Sequence, residues 1–207
     1  MKKLLASSAI AVVAAAGFAA PAMADLSANV GFASEYYYRG ILQKSSSASA
    51  GLDFEAGGFY VGTWAADVGD GLETDVYGGY NLELGEFTVG AGFTGYYYSG
   101  DFDETYEEIN LSAGWSFLSV GYSVGEWDGD GGQDYDFFEI TAEHNGFYGK
   151  YGTFGKDFDG DYFEVGYGTE VGGFDLGIAG IFSSKELSDQ DGSSEALIFT
   201  IGKSFDL

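Results

Sequence analysis

The chain has no cysteine, one histidine and one proline, and each scarcity removes a class of protein. Without cysteine there is no disulfide framework and no thiolate metal site. The proline is Pro21, so nothing downstream of it interrupts a continuous hydrogen-bonded sheet. Basic residues are scarce: 8 Lys and Arg stand against 33 Asp and Glu, a formal charge of -25. A chain so acidic is no partner for nucleic acid, which is bound by neutralising phosphates. Beyond the N-terminal segment no apolar run reaches the roughly 20 residues of a membrane helix. If this protein spans a membrane, it does so as a closed barrel, in which all backbone polar groups pair between strands. The lone His144 stands beside the Asn145-Gly146 turn, at the barrel end opposite to the surface where outer-membrane hydrolases place their histidine. It reads as an interfacial polar residue, and no enzyme is expected. Acidic pairs such as Glu73/Asp75 and Asp101/Asp103 suit acid–base chemistry, but among 33 acids they read as lumen or loop charge.

What the chain does have begins with an export signal. Lys2 and Lys3 precede an apolar run from Leu4 to about Ala20, and Ala22-Met23-Ala24 offers small residues for cleavage before Asp25. Residues 1–24 are therefore read as a signal peptide and 25–207 as one β-barrel domain. Cleavage removes two of the basic residues and none of the acidic ones. Such acidity with few aromatics would mean disorder, but aromatics make up 18% of this chain and supply buriable surface. The 35 glycines suit a barrel wall, where they bend strands and seat the rings of neighbouring strands.

Hydrophobic periodicity supplies the staves. In residues 26 to 40, Leu26, Ala28, Val30, Phe32, Ser34, Tyr36 and Tyr38 alternate with polar or small neighbours, the pattern of one long half-apolar strand. Alternation recurs through Ser47–Ala56, Phe59–Ala66, Leu72–Leu84, Phe87–Tyr98, Tyr106–Ser116, Ser119–Trp127, Tyr135–His144, Phe147–Phe158, Asp161–Val171, Phe174–Ser183 and Glu195–Leu207. That predicts a transmembrane antiparallel up-and-down all-β barrel of twelve strands. Tight turns such as Gly57-Gly58, Asn145-Gly146 and Gly172-Gly173 are expected at the periplasmic end, and longer acidic loops outside. The first of those loops is expected over Arg39 to about Ser46. A soluble β-sandwich is the alternative, but it predicts shorter strands and no alternation of turn length. The last strand, apolar on one face but for Lys203, resembles the address read by the barrel-assembly machinery, with the mild departure that it ends in Leu207 where most such proteins end in Phe.

Candidate functional residues follow from which way they point. Alternation turns Glu35, Arg39, Asp53, Glu73, Asp75, Glu108, Glu139, Lys150, Lys156 and Glu164 into the lumen. Twelve strands enclose a backbone cylinder roughly 24 Å across and a lumen of roughly 10 Å. The acidic excess favours cations or zwitterions, while Arg39 is expected to brace Glu35 or another wall carboxylate. Tyr36, Tyr38, Tyr96 and Tyr97, from two Tyr-Tyr-Tyr runs, are expected in the aromatic girdle at the lipid boundary; stacking on a ligand is their alternative role. The runs containing Asp128, Asp130 and Asp134, and Asp157, Asp159 and Asp161, resemble calcium loops only in part. Loose Ca2+ or Mg2+ binding there would bridge the external loops to lipopolysaccharide; no other cofactor is expected.

The run Ser-Ala-Asn-Val-Gly-Phe-Ala-Ser-Glu-Tyr-Tyr-Tyr-Arg-Gly from Ser27 to Gly40, then Gly51-Leu52-Asp53, Gly58 to Ala65 and Glu73 to Tyr80, resembles the start of the Gcw_chp family. These are conserved hypothetical outer-membrane proteins of proteobacteria, and the similarity is clearest over residues 27 to 80. The resemblance implies an outer-membrane barrel with porin-like activity and carries no catalytic residues. The expected function is passive diffusion of a small cationic or zwitterionic solute, with lipid, lipopolysaccharide and that solute as partners. The alternative is a non-conducting barrel that binds cations or a partner through its acidic loops.

Overall fold

The computed structural model describes residues 24–188 and 192–207; the expected signal peptide lies outside them. Twelve antiparallel strands close into one barrel, each paired with its neighbours in sequence and β1 with β12. They are β1 (Asp25–Tyr38), β2 (Ile41–Ala56), β3 (Phe59–Asp67), β4 (Leu72–Leu84), β5 (Phe87–Tyr98), β6 (Tyr106–Trp115), β7 (Leu118–Trp127), β8 (Gln133–His144), β9 (Phe147–Lys156), β10 (Asp161–Val171), β11 (Phe174–Ser183) and β12 (Ser194–Asp206). Closure leaves no sheet edge, which is the condition for a β-structure in lipid. At one end all connections are two-residue turns. Gly57-Gly58, Asn145-Gly146 and Gly172-Gly173 have positive φ at both positions, as a hairpin needs when its turn must follow the right-handed strand twist.

At the other end the connections are longer, with one exception that corrects the sequence reading. Instead of a loop from Arg39 to Ser46, β1 and β2 are joined by Arg39-Gly40 alone, both at positive φ. The hairpin tip is tucked inward: the Gly40 carbonyl accepts a 2.6 Å bond from the Ser183 hydroxyl. A Cβ at Gly40 would lie 2.8 Å from both Leu187 and Tyr162. Leu187 belongs to a short 3-10 turn, Lys185–Leu187, that closes over the same mouth.

The outer wall is apolar along its length, with Val30, Phe32, Leu52, Phe54, Phe93, Ile109, Leu111, Phe163, Leu197 and Phe199 all exposed. Left in water this belt would be costly, at about 25 cal/mol per Å² of apolar surface, so the barrel is built for a lipid surround. Ring pairs mark the short-turn rim of the outer face: Phe59–Tyr80 at 4.7 Å, Phe147–Tyr167 at 4.6 Å and Phe87–Trp115 at 6.0 Å. Cross-strand aromatic pairs contribute ~0.5–1.5 kcal/mol each beyond their area. The packed interior lies toward the loop end, in two groups. One is Phe137, Tyr162, Ile181, Leu187 and Ile198; the other is Tyr36, Ala66 and Val68.

Candidate lumenal site

β1 runs in phase until Ala33, which is buried, and then resumes with Tyr36 buried, three residues on instead of two. Between them the pairing with β12 ends at Ala33↔Thr200, and the Ser34 hydroxyl accepts the Phe199 N–H at 2.9 Å. Against β2 the register shifts between Tyr36 and Tyr37, which leaves Gln43 as the extra residue. Such irregularities re-aim side chains, and here they turn the end of β1 into the lumen. The Tyr36 hydroxyl donates to Glu73. The Tyr38 hydroxyl donates to that of Tyr96 at 2.6 Å.

The inward tip carries Arg39 across the bore. In a ring of twelve strands, β6 and β7 stand opposite β1. The Arg39 guanidinium meets both oxygens of Glu108 on β6, at 2.9 and 2.8 Å, and donates to Ser123 on β7 at 3.2 Å. The rings of Phe137 and Tyr38 cover it, at 4.2 and 5.0 Å from centroid to guanidinium carbon. Glu108 also accepts from Tyr96 at 2.8 Å, Tyr135 at 3.0 Å and Asn110 at 2.7 Å. A buried carboxylate is tolerated when its lone pairs are filled by a cation and donors in this way. The result is a cross-brace that spans the loop-end half of the lumen.

On the wall beside the brace, Glu73 and Asp75 occupy alternate positions of β4 and so share its inner face. Both are buried, at 1% and 2% exposure. Their register partners on the same face are Tyr98 and Ala66 for Glu73, and Tyr96 and Trp64 for Asp75. Tyr36 packs edge-on to Trp64 at 5.7 Å. A further ion pair, Lys150–Glu139 at 3.6 Å, has Tyr162 donating to Glu139 at 3.3 Å. Lower still, Tyr148 donates to Glu164 at 2.5 Å, and Asp53 accepts from Tyr77 at 2.5 Å and Asn29 at 3.1 Å. Toward the short-turn end the inward side chains of Ser112 and Glu143 are exposed, so that half of the lumen is a polar vestibule.

Residues 15–145 match the model of a family described as bacterial protein of unknown function (Gcw_chp). The chain belongs to that family. No curated protein matches this Gcw_chp chain. Among solved structures it is similar to a membrane protein from work on the mechanism of in-meso crystallization, with TM-score 0.62 and 9% identity over 88% of this chain and 84% of that one. At that identity the likeness is one of fold. It is also similar to OccK2 (OpdF) of Pseudomonas aeruginosa, solved in complex with glucuronate, with TM-score 0.44, 13% identity and 79% of this chain covered. A BenF-like porin from Pseudomonas fluorescens Pf-5 gives TM-score 0.43, 12% identity and 85% coverage. The Gcw_chp chain spans 58% of the length of each of these two.

Of the residues expected in the lumen of this Gcw_chp barrel, Arg39, Asp53, Glu73, Asp75, Glu108, Glu139, Lys150 and Glu164 are brought to the inner face. Lys156 is not: it ends β9 at the rim, exposed, with φ at 64°. Glu35 is half-buried, and the partner of Arg39 is Glu108, on the far wall. The girdle assignment is corrected for three of four tyrosines. Tyr36, Tyr38 and Tyr96 are interior and hydrogen-bonded, because the phase of β1 slips and because Tyr96 shares the inner face with Asp75. Tyr97 alone faces outward, at 42% exposure, where it donates to Glu107 at 3.3 Å. The aromatic pairs of the opposite rim escaped the sequence reading, although their signal, a bulky ring immediately beside each tight turn, was present in Phe59, Phe87 and Phe147. Among the described residues no three acidic or imidazole side chains come together as a metal site. The loop acids bond to backbone instead: Asp157 accepts from the Asp134 N–H at 3.1 Å and Asp159 from Gly160 at 2.8 Å. Asp128, Asp130 and Asp161 join no metal-binding group either.

Proposed function

We propose that this barrel is an outer-membrane channel for passive diffusion of a small cationic or zwitterionic solute, held narrow at its external end by the Arg39 brace. The observation that carries the reading is the charge of the buried lumen. Glu73, Asp75, Glu108 and Glu164 stand there with Lys150 and Arg39 as the cations, and Arg39 is already committed to Glu108. Rings of fixed carboxylate lower the entry barrier for cations and raise it for anions. The apolar belt and the contrast between tight turns and longer loops support an outer-membrane setting with the loops outside. The test is purified, folded barrel in a planar bilayer under a KCl gradient. Discrete conductance steps with a cation-selective reversal potential are expected. Anion selectivity would sink the reading.

A second reading, a non-conducting barrel acting through its acidic loops, is favoured by one observation: the brace spans the bore from β1 to β6 and β7. Removing the brace separates the two. Under the channel reading Arg39→Ala conducts more than the parent, which itself conducts. Under the second reading the parent is silent and its loops hold the partner.

A further inference from the structure

Two carboxylate oxygens in the lumen wall are buried without a hydrogen-bond partner, Glu73 Oε2 and Asp75 Oδ1. Among the described residues neither acid forms an ion pair with a Lys or Arg of the chain. Each acid leaves one oxygen unsatisfied, Glu73 accepting from Tyr36 on its other oxygen. A buried oxygen left unpaired is costly, and a cationic donor from outside the chain would satisfy it. The setting says which kind. The two acids lie on a wall of Trp64, Tyr96, Tyr98 and Tyr36.

The neighbouring station shows how the barrel uses such a wall. Glu108 holds a guanidinium between carboxylate and ring faces, supplied by Arg39. Glu73 and Asp75 repeat the carboxylate-and-ring chemistry, with no cation of the chain assigned to them. A hard divalent ion takes six or more oxygen ligands, and this wall is mainly carbon. Ring faces with carboxylates behind them suit a weakly hydrated organic cation.

We propose that Glu73 and Asp75, with the surrounding rings, form a binding station for the ammonium or guanidinium group of a small organic cation in transit. The station takes its purpose from the channel reading, but its occupancy is measured without conduction. The experiment is isothermal titration calorimetry of the folded full barrel in detergent micelles with methylguanidinium chloride, against NaCl and MgCl2 at matched ionic strength. Saturable one-to-one binding of methylguanidinium over sodium is expected. Asp75→Asn should weaken it about tenfold or more, the loss of one charge-assisted hydrogen bond. Glu73→Gln should act in the same direction, and Glu107→Gln on the outer wall should leave the affinity unchanged. Heat-modifiable gel mobility checks that each variant is folded, and either acidic variant suffices for the comparison. The proposal is overturned if methylguanidinium gives no saturable heat, if both acidic variants bind like the parent, or if magnesium binds as well as the organic cation. Heat that tracks only the ionisation enthalpy of the buffer would overturn it too, by making the pair a proton site. A barrel that conducts cations but fails this titration loses the station and keeps the channel; one that binds without conducting does the reverse.

Discussion

A guanidinium is planar, permanently charged and forked, so at Arg39 it can meet both oxygens of Glu108 while Phe137 covers one face. Lysine keeps the charge but not the fork. Arg39→Ala is expected to destabilise the barrel by about 3 kcal/mol, because it leaves Glu108 buried without its cation; urea unfolding of the inserted protein measures this. Arg39→Lys should recover part of that stability, and a variant series with no change in urea midpoint would mean the brace contributes nothing. The sequence marked Arg39 as a brace but could not name its partner. Residues 39 and 108 meet only once the cylinder has closed, a contact no local pattern encodes. Tyr36 and Tyr38 were misplaced for a different reason. Strict alternation assumes an unbroken pleat, and the slip between Ala33 and Tyr36 exchanges the two faces.

At the level of the strand, the bounds of β4, β5, β10 and β11 were legible to the residue, since each runs between two clear turn signals. β2 was not: Ile41–Ser46 lacks alternation at the bulge and reads as loop. Glycines do more inside these strands than bend them. A Cβ at Gly152 on β9 would fall 2.5 Å from the Tyr162 ring and 2.6 Å from that of Phe137. Those two rings lie stacked, 6.3 Å apart and 10° from parallel. Gly152→Val should therefore push Phe137 off the guanidinium and cost ~1–3 kcal/mol as overpacking does. The expected signature is a lower urea midpoint together with a raised bilayer conductance. A midpoint shift alone would show that the ring does not help to hold the brace.

Across the whole molecule the two halves of the lumen differ. Thr94 is buried beside the brace, whereas Ser112, two turns of the pleat lower on the next strand, is exposed to the vestibule. Because the chain has no cysteine, a single introduced thiol is an unambiguous probe. Ser112→Cys is expected to react quickly with a charged, membrane-impermeant maleimide supplied from the short-turn side, and Thr94→Cys slowly from either side. Equal rates at both positions would contradict a one-ended closure. That asymmetry was beyond the sequence, which assigns residues to faces but cannot tell how far along the bore the side chains meet. It also has an electrical side. The brace is a single positive charge on a hairpin tip joined to the wall by two residues, Arg39 and Gly40. Moving one elementary charge through a full membrane field is worth ~2.3 kcal/mol per 100 mV. A potential negative on the loop side would draw the tip outward and away from Glu108, and the opposite sign would seat it. The barrel is therefore expected to pass current more readily at one polarity than at the other, and Arg39→Ala to abolish the difference.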